Sequence, residues 1–111
     1  MKQDFKVVWA GSAVQDLENI IACIAEDSRS NAMKILLKIK KSVSDLYHFP
    51  YSGHFMPELQ GQGILIYREL VIAPWRIIYR VSEQTVFVFS VCDSRQNIED
   101  ILLKKLINMK I

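Results

Sequence analysis

The spacing of apolar side chains changes midway along this chain, and that change limits the possible folds more than any other feature. Over residues 13–48 apolar side chains recur every three or four positions, whereas over 64–92 they alternate or run together. The first spacing lays a stripe along one face of a helix, and the second suits the faces of strands. Ala13, Leu17, Ile20, Ile21 and Ile24 form one stripe and predict a helix over about 13–26. Ser12 stands where an N-cap belongs, with Gln15 at capping-box spacing behind it. A polar turn at 27–31 leads to a second stripe of Ala32, Ile35, Leu36, Ile39, Val43 and Leu46. This second helix is predicted to reach about His48, where Pro50 stops it. Two amphipathic helices on so short a connection pack as an antiparallel hairpin.

Strand signals flank that hairpin. Phe5, Val7 and Trp9 alternate with Lys6 and Val8, predicting a short strand at or near a sheet edge. Residues 50–63, with Pro50, Gly53, Pro57, Gly61 and Gly63, read as the long loop. Ile64–Leu70 reads as a strand, and Val71–Pro74 as a turn because proline cannot serve a central ladder. In the next strand Trp75, Ile77, Tyr79 and Val81 face one way, while Arg76, Ile78 and Arg80 face the other. After a tight turn at Ser82–Gln84, Thr85–Cys92 is the most strongly β-forming stretch. Ile98–Ile111 reads as a closing helix, with Glu99 and Asp100 at its start and Lys104, Lys105 and Lys110 toward its end, in accord with the helix dipole. The expected order is β-α-α-β-β-β-α. That is an α+β fold with an N-terminal strand, a helical hairpin on a largely antiparallel sheet of about four strands, and a C-terminal helix. A length of 111 residues without repeat or linker suits one domain, 1–111.

Several function classes fall away. Half of the residues are hydrophobic and 23% are charged, a globular balance. No stretch is long enough to span a bilayer, and the alternating N-terminus lacks the apolar run of a signal peptide, so the cytoplasm is expected. Cys23 and Cys92 set neither a disulfide framework nor a metal quartet, and read as two buried thiols in a reducing compartment. His48 and His54 lack companions at ligand spacing, so no metal is expected. Without a glycine-rich phosphate loop, no cofactor is implied. A formal charge of +2 is too even to announce a nucleic-acid binder.

What remains is a set of arginines. Arg68, Arg76 and Arg80 lie on neighbouring strands, and Arg95 follows the last strand. Arg76 and Arg80 share a face, and with the hairpin on the other face their guanidiniums would project from an open side of the sheet. Such a surface binds phosphate or carboxylate, since guanidinium is permanently charged and forked. It equally describes an ordinary solvated face whose arginines pair with Glu58, Glu69, Glu83 or Asp93. Lys34, Lys38, Lys40 and Lys41 fall off the buried stripe of the second helix and could meet a partner's acids. The C-terminal stretch could simply close the fold or engage a partner.

One family joins these pieces. Trp9 and Ala13 are followed by Asp16-Leu17 and Ile20; then come Phe49-Pro50, Gly53-His54, Pro57-Glu58-Leu59 and Tyr67-Arg68-Glu69-Leu70. Trp75-Arg76-Ile77-Ile78-Tyr79-Arg80-Val81 precedes Val88–Val91, Asp93-Ser94-Arg95 and Leu102-Leu103. In that order the chain resembles the RelE/ParE superfamily of toxins from type II toxin–antitoxin modules, often labelled plasmid stabilisation proteins. The resemblance implies a small sheet carrying a helical hairpin, an antitoxin partner and no cofactor, with a homodimer left open. It also implies one of two activities. RelE-like members cut messenger RNA on the ribosome, and ParE-like members poison DNA gyrase. For an endoribonuclease the candidate catalytic residues are Arg68, Arg76 and Arg95. For target or antitoxin binding they are Arg76, Arg80, Arg95, Lys104 and Lys105. The RelE-like pattern often places a His or Lys where Asp93 stands, and a late Tyr that is missing after Tyr79. RNA cleavage needs proton donors and acceptors, so these departures fit the gyrase-directed branch better. A third reading is a non-toxic remnant that binds antitoxin.

Overall fold

The computed structural model describes residues 5–108. Along the chain run β1 (Lys6–Trp9), α1 (Gly11–Asp27), α2 (Arg29–Ser44), a 3-10 turn (Asp45–Tyr47), β2 (His54–Phe55), α3 (Pro57–Gln60), β3 (Tyr67–Ile72), β4 (Trp75–Ser82), β5 (Thr85–Asp93) and α4 (Ile98–Asn108). The strands make one five-stranded sheet in the order β1-β5-β4-β3-β2. All neighbours are antiparallel except β1 and β5, which run parallel because the α1–α2 hairpin carries the chain back across the sheet. The expected α+β architecture is therefore present, with β2 as a fifth strand that two residues were too few to announce.

The hairpin buries its stripe against one face of the sheet. Ala13, Leu17, Ile39, Val43 and Leu46 meet Ile77, Tyr79, Val86, Val88 and Val91, with Trp9 and Trp75 packed at the margin. On the opposite face a second cluster of Met56, Ile78, Phe89, Cys92, Ile98 and Leu102 forms under α3 and α4. That face is thus partly roofed, not open as expected. A β-bulge makes both clusters possible. Ile78 pairs with Ser90 but Tyr79 pairs with Val88, so Phe89 is the extra residue. The bulge shifts the side-chain phase, letting Val88 and Val91 reach one core while Phe89 and Cys92 reach the other.

Local boundaries differ from the sequence expectation for identifiable reasons. The N-cap of α1 is Ala10, without a side-chain cap bond, and Ser12 already lies within the helix. Ser28 performs that service for α2, its hydroxyl accepting from the Asn31 amide at 3.1 Å. The long loop contains β2 and the single turn α3, which starts on Pro57, a favoured first helical residue. β3 begins at Tyr67 and extends to Ile72, narrowing the following turn to Ala73 and Pro74. Cys92 is buried as expected, but Cys23 is exposed on α1. Lys110 and the last turn expected of the closing helix lie outside the described residues.

Candidate functional site

The candidate site is built around Arg76, on the second residue of β4. It points to the face that carries Ile78, where β3 supplies Glu69 across the ladder and α3 supplies Glu58. Arg76 Nε donates to Glu69 Oε1, and its two terminal nitrogens fork onto Glu58 at 2.7 and 2.9 Å. His54 Nε2, from β2, lies 2.8 Å from the other oxygen of Glu69. Arg76 is only 8% exposed and Glu69 only 3%. Burial of an unpaired charge would be prohibitive, and two carboxylates compensate this one. The Arg76 fork holds the Glu58 carboxyl below its ordinary range, and Glu58 in turn raises the already high pKa of Arg76.

The other predicted arginines take separate positions. Arg68 pairs across the ladder with Tyr79 and so lies on the hairpin face, not beside Arg76. Its Nη1 donates to the carbonyls of Gly53 at 2.8 Å and Tyr51 at 3.3 Å. Its guanidinium stacks over the rings of Phe55 and Tyr51, 4.2 and 5.2 Å from their centroids. Arg80 shares the face of Arg76 but leans over Phe87 at 4.8 Å. Arg95 is exposed and closes onto Asp93, its Nη2 donating at 2.6 Å. That bond drives the Asp93 carboxyl down to about 2 and raises Arg95. Of the two readings open for these arginines, pairing with acids holds for Arg76, with Glu58 and Glu69, and for Arg95, with Asp93, while Arg68 and Arg80 pair with no carboxylate among the described residues.

Of the two candidate lysines of α4, Lys104 is exposed and Lys105 is not free. Lys105 Nζ donates to Asp16 of α1 at 2.5 Å and to the Phe89 carbonyl at 3.2 Å. The same Asp16 oxygen accepts from the Ser90 hydroxyl at 3.0 Å and from the Val91 amide at 3.2 Å. It satisfies a strand amide beyond the end of β1 and ties α1, β5 and α4 together. In the sequence Asp16 stood out only as part of the Asp16-Leu17 pair of the family resemblance. Nothing local signals a partner 89 residues away.

Two further features line the hairpin side. A groove of about 470 Å³ runs between β1 and the helices, with Val7, Trp9, Val14, Val43 and Tyr47 in its walls and Lys40 at its rim. β1 is the end strand, so its outer edge has no neighbouring strand among the described residues. Gly53 lies so close to its neighbours that a Cβ there would stand 2.6 Å from the Glu69 carbonyl and from the Tyr79 hydroxyl. The Gly53 amide donates to that hydroxyl at 2.8 Å, and burial pushes the Tyr79 phenol up. No group of three or more potential metal ligands exists among the described residues. No helix among them is long and apolar enough to cross a membrane.

A five-stranded sheet bears an α-hairpin on one face and a short C-terminal helix on the other, and solved toxin–antitoxin structures share that fold. The chain aligns over 98% of a structure described as a chromosomal ParDE toxin–antitoxin system from P. aeruginosa, which covers 83% of this chain at 18% identity and a TM-score of 0.66. It also resembles a structure from the toxin–antitoxin complex RelBE2 of Mycobacterium tuberculosis, with 15% identity, 84% of this chain and 94% of that one covered, and a TM-score of 0.55. No curated protein matches by sequence. The family model "ParE toxin of type II toxin-antitoxin system, parDE" matches residues 7–98, and the chain belongs to that family.

Proposed function

We propose that this ParE-type toxin stops growth by acting on DNA gyrase and that a cognate antitoxin neutralises it. The state of two of the three candidate arginines, Arg76 and Arg95, carries the reading against messenger-RNA cleavage. That chemistry requires a base for the 2′-hydroxyl, a cation for the phosphate and an acid for the leaving oxygen. At the positions matching the RelE-like pattern, Arg76 is buried between Glu58 and Glu69, and Arg95 is closed onto Asp93. To grip a phosphate with its fork, Arg76 would have to give up both of its bonds to Glu58, while its Nε stays held by the buried Glu69. His54 Nε2 is engaged with Glu69.

The groove beside β1 supports the antitoxin half of the reading. Its apolar walls fit the apolar face of an amphipathic segment, and Lys40 at the rim, with Lys34, Lys38 and Lys41 exposed on α2, fits acids on that segment. The exposed β1 edge would accept an added strand. The test is induction of the chain in cells without an antitoxin. Filamentation and DNA-damage signalling while protein synthesis continues are expected. Immediate arrest of translation would replace this reading with the nuclease, and normal growth would leave an inert binding module.

A further inference from the structure

Arg68 anchors a second surface that shares no lining residue with the groove. A hollow of about 260 Å³ is walled by Tyr51, Phe55, Leu65, Ile66, Arg68 and Val81. Tyr51, Leu65 and Ile66 are 59%, 53% and 57% exposed, an unusual cost for one loop unless something covers it. The polar member is Arg68. Its Nη1 is used by the Gly53 and Tyr51 carbonyls, while Nε and Nη2 have no acceptor among the described residues. Three of five N–H groups are thus left, on the side of the fork that accepts a carboxylate. The guanidinium is also held in advance. Two aromatic rings stack on it, and Gly53 is itself pinned by Tyr79. Little rotamer freedom remains to be lost on binding.

We propose that this hollow docks an acidic, apolar segment of a partner protein, seating an aliphatic or aromatic side chain between Tyr51 and Leu65 and a carboxylate on Arg68. Charge complementarity selects the occupant. Among the described residues no carboxylate neutralises this cation, unlike Arg76 and Arg95, and apolar side chains surround it. A nucleic acid fits less well, because the hollow has one fixed cation where a phosphate chain calls for several. This surface stands independently of gyrase as the target.

The test uses the full chain and a fluorescein-labelled nonapeptide of alternating Leu and Glu, read by fluorescence anisotropy. The peptide should bind, and the same peptide with Gln for Glu should bind about tenfold more weakly or worse, as loss of one charge-assisted contact implies. Arg68→Gln should weaken binding about tenfold. Because Arg68 also steadies the loop, the pair Leu65→Ser with Ile66→Ser, both at exposed sites, is a second variant and should weaken binding comparably without disturbing the fold. Substitution of Lys34, Lys38, Lys40 and Lys41 by Gln should leave binding intact. The proposal is overturned if the peptide does not bind, if only the lysine variants weaken it, or if a single-stranded oligonucleotide occupies the hollow in its place. Self-association abolished by the Leu65→Ser and Ile66→Ser changes, with no peptide binding, would assign the surface to a second copy and equally overturn it.

Discussion

Replacing Arg76 by Met tests what the buried guanidinium does. The substitution keeps much of the side-chain volume and removes the charge. Glu69, 3% exposed, would then keep only His54 as a side-chain partner, and Glu58 would lose both of its bonds to the fork. Breaking a buried ion pair from one side costs roughly 3–5 kcal/mol, because the surviving charge stays desolvated. Most of that cost belongs to Glu69, since the Glu58 side chain is 29% exposed and can recover water. For a chain of this size, about 4 °C per kcal/mol gives a melting point lower by roughly 12–20 °C. If the cost is an orphaned carboxylate, Arg76→Met combined with Glu69→Leu should recover most of it, as apolar replacement of a buried pair is often neutral. Urea unfolding of the two single variants and the double variant, arranged as a cycle, isolates the coupling. A toxicity assay on the same proteins separates structure from contact. A structural Arg76 predicts that the double variant regains toxicity with stability. A single-variant cost below about 1 kcal/mol, or a double variant no more stable than Arg76→Met, would refute the buried-charge reasoning.

Other residues make equally definite predictions. Gly53→Ala forces a Cβ against the Glu69 carbonyl and the Tyr79 hydroxyl and should destabilise by about 1–3 kcal/mol in thermal melts, whereas Gly11→Ala, with nothing near its Cβ, should not. Asp16→Ala removes the acceptor of Ser90, Val91 and Lys105, so α4 should lose amide-exchange protection before the sheet does. With a thiol reagent at about pH 8, exposed Cys23 should react at once and Cys92, buried and pushed up to about 11, only on unfolding. Arg76 depresses Glu58 and Arg95 depresses Asp93 to about 2, so the stability these carboxylates confer is present above their ordinary values near 4 and is lost as pH falls through the depressed ones. Stability measured from about pH 5 to pH 2 should therefore fall, and Asp93→Asn should flatten part of that fall.

Periodicity carried much of the architecture. The alternation of Trp75–Val81 assigned the two faces of β4 correctly, and the stripes of α1 and α2 named most of the hairpin core. Glu58, Glu69 and Asp93 were visible as acids able to pair with arginines, but which acid meets which arginine depends on β3 register and on where α3 sets Glu58. The face of Arg68 followed from its ladder partner Tyr79, which a single strand pattern does not contain. The bulge at Phe89 was hidden because Val86–Phe89 and Val91–Cys92 put apolar residues on both faces, and the one serine between them, Ser90, does not by itself mark a change of phase. The exposure of Cys23 could have been read from its place off the Ala13–Leu17–Ile20–Ile24 stripe. The roof over the second sheet face could not, because Lys105 and Asp16 are joined only by the tertiary fold. Physically, local spacing reports the direction of burial, while neutralisation of a charge depends on which distant element is brought beside it.

Gyrase as the target is best tested with purified toxin in a supercoiling and cleavage-complex assay, with ribosome-dependent messenger-RNA cleavage run alongside. Inhibited supercoiling or trapped cleavage complexes with intact messenger RNA is the expected result. Cut messenger RNA with unaffected gyrase would contradict it, and would mean that Arg76 leaves its carboxylates on the ribosome.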